Sequence, residues 1–534
     1  MSRFWRSLLL VPALVAVGAI LGGVYGPGLP GVAAASSEDE IKASLRTFSE
    51  IYSAVEANFA DKLSPDTAVY EGAIPGMLRT LDPHSSFFDP HAYQLLREDQ
   101  RGQYYGVGMF VVGRGGKTIV VQPFTGSPAY NAGIHPGDAI VEVNDTSTEG
   151  LSTTEVADLL KGPKGTEVTI KVARQGRPDP LVFNIVRDEI ERKSVNEAFF
   201  LKDKIAYIDI EQFNENTSRE VDRELKKLGE ESIEGLVLDL RRNPGGLLNE
   251  GVAVADRFLR KGQVVVKHRG RTTPEKPYMA RRGNRGLEYP IVVLVDRMSA
   301  SAAEIVAGAL QDHDRAWVLG DNTFGKGLVQ TVYPLAENTG LALTTARYYT
   351  PSGRLIQRSY EGKSFFDYYY RNRDEDGAVN NDDVKMTDSG RTVYGGGGIT
   401  PDEMNKLPKA TAFQGRLLRN YAFFDFTARF FGTHTTDLPK NWAPDQEVMN
   451  DFHRYILDKK IEFTEAEWAE EREWVRRHLR REMYTTAFGI EESRRLAIET
   501  DPAVLQAIDA MPKAQALLDE AKKIIAQRSE NSRN

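Results

Sequence analysis

The spacing of apolar residues changes along the chain, and each change predicts a different architecture. Ile41, Leu45, Phe48, Ile51, Val55 and Phe59 recur at intervals of three and four, the mark of one apolar helix face, so residues 36 to about 101 are expected to be largely helical. That stretch contains Leu81-Asp-Pro-His-Ser85, which predicts a turn. From Tyr104 the period drops to two. Strands are expected at Val107 to Val112, Thr118 to Val121, Val168 to Ala173 and Leu181 to Val186, with a short helix capped by Ser152 and Glu155 between them. From Lys204 to about Tyr349 strands alternate with helices. The strands are read at Ile205 to Ile210, Gly235 to Leu240, Val264 to Lys267, Ile291 to Val295, Ala316 to Leu319 and Leu341 to Tyr348, which predicts an α/β domain. Beyond Pro401 the chain reads as helical and charge-rich. Thr464 and Glu467 form a capping box ahead of Trp468, Val475, Leu479 and Met483 on one face, a pattern of helix packing.

Composition narrows the function classes. At 534 residues, 41% hydrophobic and 27% charged, the chain has the make-up of a soluble globular protein with several domains. The net charge of −8, with no long basic run, argues against nucleic acid as a partner. The lack of cysteine excludes disulfides, thiolate metal sites and cysteine nucleophiles together. None of the eight histidines forms an i, i+4 pair, so no metal is expected. The N-terminus has Arg3 and Arg6, an apolar run from Leu8 to Val24 and the small residues Ala33 and Ala35. This predicts a signal peptide over residues 1–35, with an uncleaved anchor as the alternative and the only route to membrane contact. The remainder is then expected to be exported, to the periplasm or cell envelope.

Three segments follow predicted strands, where open α/β sheets place their sites: Asp239 to Gly246, Ser299 to Glu304 and Gly320 to Gln330. Gly320, Gly325 and Lys326 match the spacing of a phosphate-binding loop, but Gly327 stands where Ser or Thr is required and an extended run follows instead of a helix. Ser299 and Ser301 sit where a strand hands over to a helix, so either caps that helix or serves as a nucleophile aided by the free amides of the first turn. A serine nucleophile needs a base. No histidine lies in these segments, and Lys326, between two glycines in an apolar loop, suits that role if burial keeps its amine neutral.

The combination of Ser299-Ala-Ser-Ala-Ala-Glu-Ile305, Phe324-Gly-Lys-Gly-Leu-Val-Gln330 and Tyr349-Thr-Pro-Ser-Gly-Arg354 resembles the carboxyl-terminal processing, or tail-specific, proteases, a serine/lysine peptidase family. The resemblance extends from Leu81 through a PDZ-like pattern at Tyr105 to Gly108 and Ser127 to Val143, through Asp239 to Gly246, to Gly398-Ile-Thr-Pro-Asp402. It covers roughly residues 40 to 402 and, with the periodicity, implies a multidomain α/β fold: an N-terminal helical region (36–102), a β-rich PDZ domain (103–189) and a protease core (190–402), followed by a helical C-terminal extension (403–534) that the resemblance does not account for. It implies Ser301 as nucleophile, Lys326 as general base and Gln330 as the group orienting the lysine. The oxyanion hole would be the amide of Ala302 with one from the Gly245-Gly246 turn. Tyr105, Gly106, Val107 and Gly108 would form the PDZ carboxylate-binding loop, with the peptide added as a strand beside Met109 to Val112. The expected activity is endoproteolysis of proteins or peptides with free apolar C-termini, without cofactor, with a homodimer or an adaptor lipoprotein as further partner. The alternatives are a non-catalytic PDZ scaffold on a protease-like fold and a hydrolase of small peptides. An aromatic run at Phe365 to Tyr370 and an acidic strip from Asp374 to Asp383 stand in an insertion from about 360 to 394, read as a lid or partner site or as a solvated loop packed at one end.

Overall fold

The computed structural model describes residues 38–64, 66–174, 176–370, 383–405, 410–434 and 437–531; the signal segment and nearly all of the acidic strip lie outside them. The chain divides into two compact units, Met1–Met77 and Leu78–Asn534. In the first, helix α1 (Glu38–Asn58) forms where the three-and-four spacing predicts, yet it contains no buried residue, and Ile41, Leu45, Phe48, Ile51 and Val55 are all exposed.

The second unit begins with strand β1 (Ser86–Phe88) and helix α2 (Pro90–Arg101), which Asp89 caps through the Ala92 amide and Gly102 ends in the left-handed conformation. The region expected to be helical thus contributes a strand. Strand β2 (Gln103–Gly106) pairs with β9 (Asp188–Glu191). Between them lies an antiparallel sheet of β3 (Met109–Arg114), β4 (Lys117–Pro123), β5 (Ala139–Val143), β6 (Thr146–Ser147), β7 (Glu167–Ala173) and β8 (Leu181–Val186), with helix α3 (Thr153–Leu160) held by the Ser152–Glu155 capping box. Its core includes Val120, Ile140, Val143, Val156, Val168 and Ile170. Strand β3 lies at the end of the sheet and, among the described residues, pairs only with β4.

The α/β region divides between two sheets. One is six-stranded: β10 (Ala198–Lys202), β11 (Ile205–Asp209), β12 (Gly235–Asp239), β15 (Ile291–Val295), β16 (Trp317–Gly320) and β21 (Glu403–Met404), parallel from β11 onward. Strands β12 and β15 are buried throughout, as unbroken apolar runs covered on both faces should be. Helices α4 (Thr217–Lys227), α5 (Leu248–Phe258) and α6 (Ala302–Asp312) help cover one face. The other is covered from beyond the expected core, because α13 (Pro502–Asp509) and α14 (Met511–Asn531) place Val504, Ala507, Met511 and Ala514 against Val237, Val292, Leu294 and Leu319. The strands read at Val264 and Leu341 belong to a separate antiparallel sheet. It contains β13 (Val264–Arg269), β14 (Lys276–Met279), β17 (Leu328–Pro334), β18 (Gly340–Tyr349) and β1. After β18 come helix α7 (Phe365–Tyr370) and the hairpin of β19 (Val384–Met386) and β20 (Thr392–Tyr394). Helices α8 (Ala412–Arg419), α9 (Ala422–Thr433), α10 (Gln446–Asp458) and α11 (Glu465–Phe488) share an apolar core in which Val475, Leu479 and Met483 are fully buried, and α12 (Ile490–Glu499) follows.

Candidate active site

Three loops leave the carboxyl ends of β12, β15 and β16. The two serines of the middle loop have different surroundings. Ser299 is fully buried, its Oγ donating to the Leu240 carbonyl at 2.8 Å and accepting from the Asp296 amide at 2.9 Å. Ser301 is partly exposed at the N-cap of α6 with φ 52° and ψ −112°. A residue with a β-carbon is strained there, and a strand–turn–helix elbow of this kind lifts the hydroxyl out of the backbone.

The first loop is pressed against that serine. A β-carbon on Gly245, whose φ is +97°, would lie 2.7 Å from Ser301 Cβ and 3.0 Å from the Ala302 nitrogen, so the approach requires glycine. Asn243, fully buried, holds the two loops together: its carbonyl accepts from the Ala300 amide at 2.9 Å, its Oδ1 from the Gly245 amide at 2.8 Å, and its Nδ2 donates to the Ile210 carbonyl at 2.6 Å. The Gly245 amide is therefore occupied. The amides of Ala302 and Gly246 have no acceptor among the described residues.

Glu304 ties the middle loop to the third. Its buried Oε2 accepts from the amides of both Ser301 (2.8 Å) and Lys326 (2.9 Å), which makes those two backbones near neighbours. Its Oε1 accepts from the Thr323 hydroxyl at 2.5 Å and the Gly325 amide at 2.7 Å. Burial pushes this carboxyl up, against the pull of those four donors. The Lys326 amine has no hydrogen-bond or ion-pair partner among the described residues, and burial lowers its pKa, with Glu304 and Asp82 opposing. Strand β17 follows directly, not the helix that a phosphate-binding loop requires. A register shift between Val329 and Gln330 sets Gln330 beside Thr344, to whose Oγ1 its Nε2 donates at 2.6 Å. Its Oε1 is buried without a donor among the described residues.

In the small β-rich module, Tyr105 and Gly106 lie in β2, paired with Glu189 and Asp188, so the expected four-residue loop shrinks to Val107 and Gly108. The amides of those two residues have no acceptor among the described residues. Ser127 closes the loop from behind by donating to the Gly108 carbonyl at 2.7 Å. The free edge of β3 begins immediately after it.

Residues 204–362 match the model of peptidase family S41, and residues 119–174 match that of the PDZ domain. A carboxy-terminal-processing protease of Bartonella bacilliformis is 39% identical over 326 residues, 60% of this chain and 74% of its own. The carboxy-terminal processing protease CtpB of Bacillus subtilis is 33% identical over 329 residues, 61% of this chain and 68% of its own. The chain belongs to the carboxy-terminal processing proteases of peptidase family S41. Among solved structures, a photosystem II D1 C-terminal processing protease is 32% identical, with 59% of this chain and 84% of that chain covered and a TM-score of 0.35. The PDZ domain of a carboxy-terminal protease from Vibrio cholerae, solved in complex with peptide, is 29% identical over 17% of this chain and 98% of its own, with a TM-score of 0.16.

In this serine-type peptidase the tertiary structure gathers Ser301, Lys326, Ala302, Gly245 and Gly246 in one place, although 81 positions separate Gly245 from Lys326. Gln330 lies four residues beyond Lys326, within strand β17. Two supporting residues, Asn243 and Glu304, lay inside motifs read for other members. The signal for each was weak: both are polar side chains that end up fully enclosed, and enclosure is a tertiary property.

Proposed function

We propose that this protease is an exported endopeptidase of the periplasm or cell envelope, using Ser301 and Lys326 as nucleophile and base and its PDZ domain to select apolar C-terminal tails. Neutral Lys326 accepts the Ser301 Oγ proton as the oxygen adds to the substrate carbonyl. The amides of Ala302 and Gly246 receive the developing oxyanion, each contributing about 3–4 kcal/mol in a dry site. The lysine then returns its proton to the leaving amine, and a water activated in the same way frees the acyl group from Ser301. Gln330 Oε1, buried without a donor among the described residues, is the acceptor left to take a hydrogen bond from the lysine amine in the reacting complex and so turn its lone pair toward Ser301. The observation that carries this reading is the conjunction at Glu304 Oε2 of a strained serine and an unpaired, buried lysine, with the Gly245-Gly246 turn packed on the serine.

The PDZ domain supports tail selection because the amides of Val107 and Gly108 stand open next to the unpaired edge of β3, where a peptide adds as a strand. The test is degradation of an unfolded reporter with an apolar tail, and of one ending in charged residues, by the mature protein, Ser301→Ala and Lys326→Ala. Cleavage of the apolar-tailed reporter alone, abolished in both variants, is the expected result. Equal activity in all three proteins would refute the serine/lysine assignment. Tail binding without cleavage in every form would favour the scaffold reading.

A further inference from the structure

Two motifs without an assigned role, the Leu81 to Ser85 turn and the aromatic run at Phe365 to Tyr370, meet behind the lysine loop. His84, nearly buried, has Nε2 3.0 Å from the Tyr368 hydroxyl and Nδ1 2.9 Å from the Tyr369 hydroxyl. Tyr369 donates to the Pro83 carbonyl at 3.3 Å, which leaves its oxygen to accept from Nδ1–H; Tyr368 accepts from Gln357 Nε2 at 3.2 Å, which leaves its hydroxyl proton for Nε2. This pattern suits the neutral ring with its proton on Nδ1, in which Nε2 accepts from Tyr368 and Nδ1–H donates to Tyr369. Phe324, two residues before Lys326, completes the box: its ring lies 5.8 Å from Tyr368, 5.9 Å from Tyr369 and 6.5 Å from His84, with the Arg358 guanidinium 4.1 Å from the rings of both Phe324 and Tyr368.

This box grips the lysine loop on both sides of Lys326. The Gly325 carbonyl accepts from the Arg358 amide at 3.0 Å, and Gly327 donates to Gln357 Oε1 at 2.8 Å, the same side chain whose Nε2 reaches Tyr368. The turn reaches Gln330 as well. Asp82 accepts from the His84 amide (2.7 Å), the Ser85 amide (2.8 Å) and the Ser85 hydroxyl (2.7 Å); Ser85 Oγ accepts from the Thr344 amide at 3.2 Å, and Thr344 Oγ1 accepts from Gln330. We infer that His84, clamped by Tyr368 and Tyr369 of the insertion, is a positioning residue that holds Lys326 and Gln330 in register for proton transfer. The insertion is then a working wall of the site, and this role rests on Lys326 being the base. The ionisable groups around His84 agree with a neutral ring: burial brings it down to about 3, Lys326 and Arg358 add to the effect, and Asp82 opposes them.

The test deletes hydroxyls and keeps rings. Tyr368→Phe, Tyr369→Phe and the double variant are compared with the full-length enzyme for kcat and KM on an internally cleaved peptide across pH, with thermal melts alongside. In the double variant kcat should fall about 10- to 100-fold with KM changed by less than about twofold, because geometry at the base is lost and substrate contacts are not. The acid limb of kcat/KM should move to higher pH, since water reaching the amine restores its preference for the charged form. A merely structural role would lower the melting temperature and leave that limb in place. A folded double variant with unchanged kcat and an unmoved limb would overturn the inference. Lys326→Ala in the same assay separates the two readings: if it is inert beside a wild-type-like double variant, only the positioning role falls, and if it is active, the serine/lysine assignment falls with it. If the double variant melts below the assay temperature, Tyr368→Phe alone carries the same expectations.

Discussion

A lysine serves as a base only where its amine is neutral, and at Lys326 burial outweighs the opposing carboxylates of Glu304 and Asp82. Its folded pKa lies below the usual lysine range, so the proton acceptor persists at pH values where an exposed lysine is charged. Activity is therefore expected to rise with pH through the folded pKa of Lys326 and to fall as pH drops below it, which a profile of kcat/KM against pH will show. Lys326→Arg should be inactive across that profile, because a guanidinium stays charged. Gln330→Leu tests the orienting role. It removes the acceptor with little change in volume, and kcat should fall about 10- to 100-fold while the melting temperature stays near that of the parent.

The site depends on contacts between loops more than on any one element. Glu304 collects four donors from the loops that carry Ser301 and Lys326, so Glu304→Gln turns one acceptor into a donor facing amides. A loss of about 2–3 kcal/mol in denaturant unfolding is expected, together with loss of activity. Gly245→Ala should cost about 1–3 kcal/mol from its positive φ alone, and its β-carbon would push the turn away from Ser301. Activity should fall much further than stability in that variant, because the displaced turn carries the Gly246 amide. Little of this was legible beforehand. The motifs marked the loops, but the occupied Gly245 amide and the open Gly246 amide follow from where Asn243 points.

At the scale of the molecule, the C-terminal helices have two different tasks. Arg114, at the tip of the β3–β4 hairpin, forms a two-pronged ion pair with Asp425 of α9 and lies 4.8 Å from the Tyr421 ring, joining the PDZ domain to the helical region. Arg114→Ala should weaken this contact by about 1 kcal/mol and increase hydrogen exchange in α9; unchanged exchange would show that the pair does not restrain the domain. The last two helices instead cover the parallel sheet, so a chain ending before Pro502 would expose Val292, Leu294 and Leu319 and should be insoluble. The sequence by itself determined most of the element types and which loops carry the serine, lysine and glycine motifs, because strand and helix periods and short motifs are local patterns that survive without a fold. Only the tertiary structure decided that the strands at Val264 and Leu341 leave the parallel sheet, that the helix at Pro502 returns to it, and that the apolar stripe on α1 stays exposed. Which apolar face meets which is settled by packing between residues hundreds of positions apart, and hydrophobic burial has no direction of its own to announce the partner.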